Sequence, residues 1–244
     1  MAKQTGLGQR ALLDGYNISG DITSVGSLGG GPALLECTGI DKSAMERVGG
    51  LIDGGAELTS WWNPGPEADA AHLVLSTLPT SARHFAYLTR NLVGAPAACV
   101  LAKQVNYDHS RGDDGSLTAQ TTVQVAQGFP LEWCRLVTPG IVELTGAGDG
   151  AGWDSGVTSS TFGYVAYLQV LGFTGTSVTA KLQDSANGSV WADLAGGGFA
   201  AASARGGQRI SASGTVRRHF RIVTSGTFTA ATLMVALHRR EVAA

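Results

Sequence analysis

The sequence contains no secretory signal and no long apolar run. Its first ten residues, MAKQTGLGQR, have no apolar core of the kind that a signal peptide needs. Further along the chain, no apolar stretch approaches the roughly 20 residues that a membrane-spanning helix requires. We therefore expect a protein that is made in the cytoplasm and has no membrane association.

Cysteine and charge are also scarce. The three cysteines, Cys37, Cys99 and Cys134, are widely spaced and form no CxxC pair, which argues against zinc binding, a redox dithiol or a disulfide framework. We interpret them as small buried apolar residues. Charged residues make up 15% of the chain, with 17 basic and 19 acidic side chains. This balance excludes the strongly basic surface that is typical of nucleic-acid-binding proteins.

Recognisable catalytic and cofactor motifs are missing as well. The sequence has no GxSxG, GxxxxGK, HExxH or EF-hand pattern. The glycine-rich segment 146–152 is not followed by the helix pattern of a dinucleotide site, so we interpret it as a linker. The five histidines lie in five different predicted elements: His72, His84, His109, His219 and His238. We expect no metal, no cofactor and no enzymatic activity.

Glycine, in contrast, is abundant. The chain has 35 glycines among 244 residues, about twice the usual proportion, and they follow no three-residue period. Hydrophobic residues make up 43% of the chain, which is too many for a disordered protein. The composition predicts a globular protein that is rich in turns.

The charges divide the chain into two unlike halves. Residues 1–140 contain 13 acids and 9 bases, a net charge of −4, whereas residues 141–244 contain 6 acids and 8 bases, a net charge of +2; the two sum to the −2 of the whole chain. A segment with Pro139 and repeated glycine lies between them. We predict two domains, 1–140 and 141–244, the second with a linker-like start over 141–156.

The first half has the pattern of a β-sandwich or barrel with one flanking α-helix. Asp14-Gly15 lies between two apolar segments and predicts a hairpin. Strands are predicted at 34–38 and 55–63, with a polar, glycine-rich loop between them. Residues 67–78 contain apolar residues at helical spacing and form the one predicted helix. The segments that follow it are again typical of strands.

The second half is almost entirely strand-like and predicts a β-sandwich, immunoglobulin-like or jelly-roll-like. Strands are predicted at 162–173, 177–185, 208–214, 215–225 and 228–240. Within 215–225, Val216, Phe220 and Ile222 share one face with Arg218, and Arg217, His219 and Arg221 point the other way, which places a basic stripe on one strand surface.

Acidic residues are concentrated between Asp14 and Asp69, where nine acids face only two bases, Lys42 and Arg47. One interpretation is an ordinary solvated surface. The other is an acidic surface that repels polyanions, so that DNA can pass along it without binding. The basic stripe can likewise be interpreted without a binding function, because charges on a strand surface deter aggregation.

Three segments together suggest a family. Residues 5–22 (TGLGQRALLDGYNISGDI), 38–64 (TGIDKSAMERVGGLIDGGAELTSWWNP) and 70–79 (AAHLVLSTLP) resemble the major tail tube proteins of long-tailed bacteriophages, siphovirus-type and especially those that infect actinobacteria. This resemblance covers residues 1–140. Residues 177–194 and 214–240 resemble the accessory β-sandwich of phage tail and virion proteins, and that resemblance covers 145–240.

The resemblance implies a structural virion protein rather than an enzyme. In that family the subunits form hexameric rings, and the rings stack into the tail channel through which the genome passes. Asp53 and Glu57 correspond to the region near the channel or the ring interface. The implied partners are other copies of the chain, the tape measure and tail terminator proteins, and DNA passing without specific binding. Assembly is implied to take place in the host cytoplasm.

An alternative function is binding to carbohydrate on the host cell surface. The C-terminal sandwich is implied to project from the tube, where the basic stripe could meet anionic glycans. The aromatic side chains available to stack on sugars are Trp153, Trp191, Tyr164 and Tyr167. An uncharacterised hydrolase is a third alternative, for which the sequence offers no nucleophile and base.

Overall fold

The structure is a computed structural model that describes residues 5–241. It confirms the predicted fold class: the protein is mainly β, with 58% strand and 3% helix, and a single short α-helix. The strands are β1 (Arg10–Leu13), β2 (Tyr16–Asn17), β3 (Ile22–Glu36), β4 (Arg47–Trp61), β5 (Arg83–Leu88), β6 (Pro96–Gln104), β7 (Asp108–Arg111), β8 (Leu117–Val125), β9 (Glu132–Leu136), β10 (Val142–Leu144), β11 (Gly148–Asp149), β12 (Trp153–Asp154), β13 (Tyr164–Ser185), β14 (Ala192–Gly198), β15 (Gly206–Ala212) and β16 (His219–Arg239). The helix α1 is Ala71–Leu75.

The strands form a continuous antiparallel network. Its main path runs β14-β13-β16-β9-β6-β5-β1-β2, and β8 branches from β6 to carry β4 and β7. One hydrophobic cluster lies in the second half around β13 and β16, and another lies in the first half between α1 and β5, β6 and β8. A third cluster contains residues from both halves. No described helix is long and apolar enough to span a membrane.

The predicted N-terminal hairpin is present. Asp14 and Gly15 both have positive φ, 47° and 80°, and connect β1 to β2. The Gly15 N–H donates to Oε1 of Gln169 at 2.6 Å, and a Cβ on Gly15 would lie 2.2 Å from the Val170 carbonyl oxygen. The turn is therefore packed directly against the second half of the chain.

The predicted helix at 67–78 is much shorter in the structure. It has five residues, and Oδ2 of Asp21 accepts the N–H of Ala71 at 2.8 Å at its start. Leu78, with a φ of 42°, turns the chain away soon after its end. The apolar spacing correctly marks the face that Val74 and Leu75 bury, but this packing needs little more than one helical turn.

Several strands are longer than predicted. The glycine-rich segment predicted to be a loop before residue 55 is largely the first part of β4, and in the second half two pairs of predicted strands are merged into β13 and β16. The pairing of these two strands shifts register near Gly172 and Gly175. Such irregularities shift the phase of the inward-outward alternation without ending the strand, so an interruption in the sequence pattern is not a strand end.

Residues 141–156 were expected to be linker-like but instead run along β16. β10, β11 and β12 pair with it at successive points, where Val142 faces Leu233 and Gly148 faces Thr224. Glycine suits this path because residue 150 packs so closely that a Cβ would lie 2.8 Å from a side-chain carbon of Ile222. The division into domains near residue 140 stays a prediction.

The two halves are joined by pairing and by packing. β9 of the first half pairs with β16 of the second. Cys99 and Cys134, buried as expected, pack in the mixed cluster with residues of β13 and β16. Cys37 is exposed, contrary to the expectation that all three cysteines are buried, because it lies near the end of a strand that projects from the body.

A buried polar group also crosses between the halves. Nη2 of Arg209 on β15 lies 2.9 Å from Oε1 of Glu132 on β9, and each of these side chains is 8% exposed. The Tyr167 hydroxyl on β13 donates to Oε2 of Glu132 and accepts from Nε of Arg209. Burial, together with the Glu132 charge, raises the pKa of Tyr167, so the hydroxyl keeps its proton and remains a donor.

Candidate assembly surface

A long two-stranded arm is the most distinctive surface of the molecule. It consists of β3, β4 and the turn between them, residues 22–61, and each strand has 15 residues. The half near the body packs against β8 through β4. No residue between 31 and 53 is buried. The outer half of the arm therefore has no packing partner within the described chain.

The exposed half of the arm carries large apolar side chains on both faces. Leu34 and Leu35 are neighbours on β3, as are Leu51 and Ile52 on β4, and adjacent residues of a strand point to opposite faces. Leu34 is 69% exposed and Leu51 is 89% exposed. The complete exposed apolar set is Leu34, Leu35, Ile40, Met45, Val48, Leu51 and Ile52.

The tip of the arm is held by local bonds. The N–H of Cys37 donates to the carbonyl of Glu46 at 3.0 Å, and the N–H of Glu46 donates to Oγ1 of Thr38 at 2.9 Å. An exposed ion pair, 3.4 Å long, joins Lys42 to Glu46. The tip thus has a defined shape while its apolar residues remain in solvent.

Glycines bring the strands close together where the arm meets the body. A Cβ on Gly55 would lie 2.0 Å from the carbonyl oxygen of Val123 on β8, and one on Gly30 would lie 2.3 Å from that of Asp53. These distances are far shorter than any real contact, so only glycine fits there. The abundance of glycine in this segment serves close strand packing, in addition to turns.

Asp53 and Glu57, the two candidate channel residues, lie on one face of β4. They are four residues apart on the strand, both exposed, and they line the same shallow cleft of about 330 Å³. The intervening alternation is as predicted: Ala56 and Leu58 are buried beneath this face. The structure thus places the two carboxylates together on the outer surface, and their facing a channel or a ring interface remains a prediction.

The same outer face continues across neighbouring strands. Glu57 pairs with Thr122 on β8, and Asp108 on β7 pairs with Gln120. Lys103 on β6 pairs with Gln124 and supplies the basic group of this face. We call the part of this surface from Asp53 to Lys103 the polar face; its charged members are three acids and one base, and Glu36 and Arg47 lie beyond it on the arm.

Two histidines that the sequence separates are brought together beside the arm. The rings of His72 on α1 and His109 on β7 have centroids 5.9 Å apart. Nε1 of Trp62 donates to Nδ1 of His72 at 3.2 Å, and Tyr107 packs edge-on against His109. No cluster of three or more His, Cys, Asp or Glu suited to a metal ion occurs in the described part of the chain.

Of the residues in the predicted basic stripe, His219 and Arg221 lie on β16 and Arg217 lies just before it, and acidic neighbours neutralise much of the charge of the two arginines. Nη1 of Arg221 lies 2.9 Å from Oδ2 of Asp149, and Arg217 lies 3.7 Å from Asp184. His219 lies between them at the start of β16. The sequence pattern located the stripe but not its acids, which come from distant segments. The role of Arg217, His219 and Arg221 at an outer surface remains a prediction.

The aromatic residues considered for sugar stacking are mostly engaged in packing. Tyr164 and Tyr167 are buried, each 1% exposed, so they cannot contact a carbohydrate. Trp191 is covered by the guanidinium of Arg221, 4.8 Å from the ring centroid. Trp153 is partly exposed and packs on Phe220.

Sequence reasoning missed the exposed arm and its length. The available signal was the pair of adjacent apolar residues at 34–35 and again at 51–52 within a glycine-rich stretch. A strand with one buried face shows alternation, whereas neighbouring apolar residues indicate two faces that both need cover. The sequence cannot distinguish cover by the same chain from cover by a neighbour.

Comparison with known proteins gives matches among solved structures alone. No protein-family model matches the chain, and no curated protein does. One similar structure is a chain in the virion of a native gene transfer agent particle, with 10% identity and a TM-score of 0.41 over 53% of this chain and 98% of that one. Another is the Dit protein of phage SPP1, described as a hub adsorption apparatus in phages that infect Gram-positive hosts, with 8% identity and a TM-score of 0.37 over 95% and 99%. A third is from the phage p2 baseplate in its activated conformation with strontium, with 7% identity and a TM-score of 0.32 over 96% and 99%.

Proposed function

We propose that the protein is a structural virion protein, a major tail tube subunit that self-assembles into stacked hexameric rings forming a channel for phage DNA. The observation that carries this proposal is the arm, whose outer half exposes apolar side chains on both faces. The resemblance of residues 1–140 to tail tube proteins supports this kind of assembly. Under this proposal the protein resides in the virion tail and contacts tape measure and tail terminator proteins.

The exposed apolar residues supply a driving force for association. Burying a Leu or Ile side chain contributes about 1.5–3 kcal/mol, and the outer half of the arm carries seven large apolar side chains that are at least half exposed. A two-stranded ribbon is at best marginally stable in water by itself. Contact with neighbouring subunits would cover the apolar side chains of the arm and order it.

The free edge of β3 favours a repeating assembly over a simple pair. Among the described strands, β3 pairs with β4 alone, so its outer edge presents unpaired backbone groups. A strand from the next subunit can continue the sheet there. When an arm docks on a different surface of its neighbour, the contact is heterologous, and repetition closes a ring when the rotations between neighbours sum to a full turn.

The charge of the polar face suits a channel for DNA. Asp53, Glu57 and Asp108 outnumber the single Lys103 on this face, and six copies around an axis would line it with excess carboxylates. Phosphates bind tightly to basic surfaces and are repelled by acidic ones. A lumen of this kind lets DNA move without binding.

The proposal is tested by placing a charge on the arm. Purified wild-type protein should form rings or tubes in negative-stain electron microscopy and large species in light scattering. Leu51→Asp should give monomers that remain folded, with the circular dichroism spectrum of the wild type, because residue 51 has no partner within the subunit. The matched control is Val190→Asp, since Val190 is 70% exposed and lies in a turn outside the arm.

Two results would contradict the proposal. One is a wild-type protein that stays monomeric at every concentration, even when other tail components are present. The other is a Leu51→Asp protein that assembles as efficiently as the wild type.

A further inference from the structure

A cleft lies where the two halves of the chain meet, and it shares no residue with the arm or with the basic stripe. It has a volume of about 840 Å³, within the ~300–1,000 Å³ typical of ligand sites. We call it the junction cleft. Its main lining residues are Trp133, Arg135, Trp153, Phe220, Arg239 and Glu241.

Aromatic side chains form the floor and one wall of the junction cleft. Trp153 packs on Phe220 with 5.7 Å between ring centroids, and the loop at Gly94 lies so close that a Cβ there would be 2.8 Å from Nε1 of Trp153. Trp133, on the wall formed by β9, is 50% exposed. Indole rings of this kind offer a flat apolar surface together with a polar edge.

The wall that carries Trp133 is held in place from β16. Nδ1 of His238 lies 2.9 Å from the carbonyl oxygen of Trp133, a hydrogen bond that requires the proton on Nδ1. Trp133 and Arg135 alternate with buried Cys134 and Leu136, so both point outward from the same face of β9. An indole and a guanidinium therefore project side by side from a fixed strand.

The two arginines of the cleft, Arg135 and Arg239, hydrogen-bond to backbone carbonyls rather than to carboxylates. Nη1 of Arg135 donates to the carbonyl of Gly94 and Nη1 of Arg239 to that of Val157, each at 3.3 Å. Within the described residues, neither has a carboxylate oxygen within 4 Å. Six other arginines do have one: Arg83, Arg205, Arg209, Arg217, Arg218 and Arg221.

The electrostatics of the cleft favour an acidic ligand. Burial lowers the pKa of Arg239, and the charge of Glu241 only partly offsets this effect. With Arg135 and Arg239 against Glu241, the cleft has a surplus of one positive charge. Guanidinium groups bind carboxylates and phosphates through paired hydrogen bonds, while the Glu241 carboxylate can accept hydroxyl donors.

We propose that the junction cleft binds an oligosaccharide that carries an acidic group. The apolar faces of sugar rings would stack on Trp133 and Trp153, the acidic group would lie at Arg135 and Arg239, and ring hydroxyls would donate to Glu241. This site is independent of the proposed assembly, because the cleft and the arm share no residue.

The test uses the full chain on an array of neutral, carboxylated, phosphorylated and sulfated oligosaccharides, with calorimetry of the strongest hit. Acidic oligosaccharides should bind and their neutral counterparts should bind more weakly. Trp133→Ala and Arg135→Gln should each raise the Kd about tenfold, which corresponds to about 1.4 kcal/mol. The carboxylated, phosphorylated and sulfated arms identify which acidic group is recognised.

Matched controls come from outside the cleft. Trp61 is 50% exposed on β4, like Trp133 on β9, and Arg111 is an exposed arginine at the end of β7. Trp61→Ala and Arg111→Gln should leave the Kd within about twofold of the wild type. Leu51→Asp should also retain the affinity, so failure of the assembly proposal can be distinguished from failure of this one.

The proposal is overturned if the wild type binds no saccharide on the array, or if Trp133→Ala and Arg135→Gln bind as the wild type does. It is also overturned if the array is blank and Trp133→Ala abolishes self-association. That result would assign the junction cleft to a contact between copies.

Discussion

Asp14 combines a backbone role and an electrostatic role in one residue. It occupies the left-handed region at the β1–β2 turn, and Oδ1 accepts the backbone N–H of His84 at 2.9 Å. Burial acts to raise the pKa of Asp14, but the hydrogen bonds from His84 and the charges of His84 and Arg83 outweigh it and lower that pKa. An acid whose pKa is lower in the folded state stabilises the fold above its unfolded pKa, and this contribution is lost as the pH falls through the folded value.

Asp14→Asn should therefore destabilise the protein in a pH-dependent way. Asparagine tolerates the left-handed turn, so the change removes chiefly the charge. We expect the free energy of unfolding at pH 7 to fall by about 1–2 kcal/mol relative to the wild type. This difference should become smaller as the pH falls below about 4. Urea denaturation at pH 7 and pH 3 measures this difference.

The control for this experiment is Asp113→Asn, since Asp113 is an exposed aspartate in the β7–β8 turn. It should change the free energy of unfolding by less than about 0.5 kcal/mol at either pH. A loss for Asp14→Asn that is equally large at pH 3 would show that the charge of Asp14 is unimportant.

At the scale of elements, the attachment of the arm to the body requires β4 to pack closely against β8. Gly55 on β4 faces Gly29 on β3, yet their surroundings differ sharply. A Cβ on residue 55 would overlap the Val123 carbonyl at 2.0 Å, whereas one on residue 29 would have no heavy atom within 4 Å. Substitutions at these two positions therefore distinguish a glycine that is required because a Cβ does not fit from one that only adds backbone flexibility.

Gly55→Ala should lower the free energy of unfolding by about 1–3 kcal/mol, because β4 must move away from β8. Gly29→Ala should leave stability within about 0.5 kcal/mol of the wild type or raise it slightly. Thermal denaturation compares the two variants. Equal effects of the two substitutions would indicate that strand proximity is not the reason for Gly55.

At the scale of the whole molecule, the two halves share strand pairing, a hydrophobic cluster and one buried ion pair. The Glu132–Arg209 pair is nearly excluded from solvent, so removing one partner leaves an uncompensated charge. The exposed Lys181–Asp193 pair, 2.7 Å long, lies within the second half alone. The predicted division near residue 140 can be tested by asking whether the halves unfold together.

Glu132→Gln should cost about 3–5 kcal/mol, and the loss should appear in both halves. Amide hydrogen exchange at Val100 on β6 and Leu182 on β13 should accelerate to the same extent. Asp193→Asn should cost no more than about 1 kcal/mol, because its ion pair is exposed to water. Faster exchange at Leu182 alone would show that the halves unfold independently.

Some elements were predictable because their signals are local. The Asp14-Gly15 turn follows from the backbone freedom of those two residues, and the alternation of Ala56 and Leu58 with Glu57 follows from the geometry of a strand. The ends of β13 and β16 were not predictable in this way. Bulges within these strands change the alternation, and only pairing between the two strands carries them through.

By itself, the sequence determined the fold class and the N-terminal turn, since these follow from side-chain chemistry and short-range backbone geometry. The tertiary structure decided which charged side chains are paired and which apolar side chains are covered within the chain. It paired Arg217 and Arg221 with distant aspartates and joined Trp133 to Trp153 in one cleft. It also left the apolar arm without cover, because burial depends on contacts between residues far apart in the sequence.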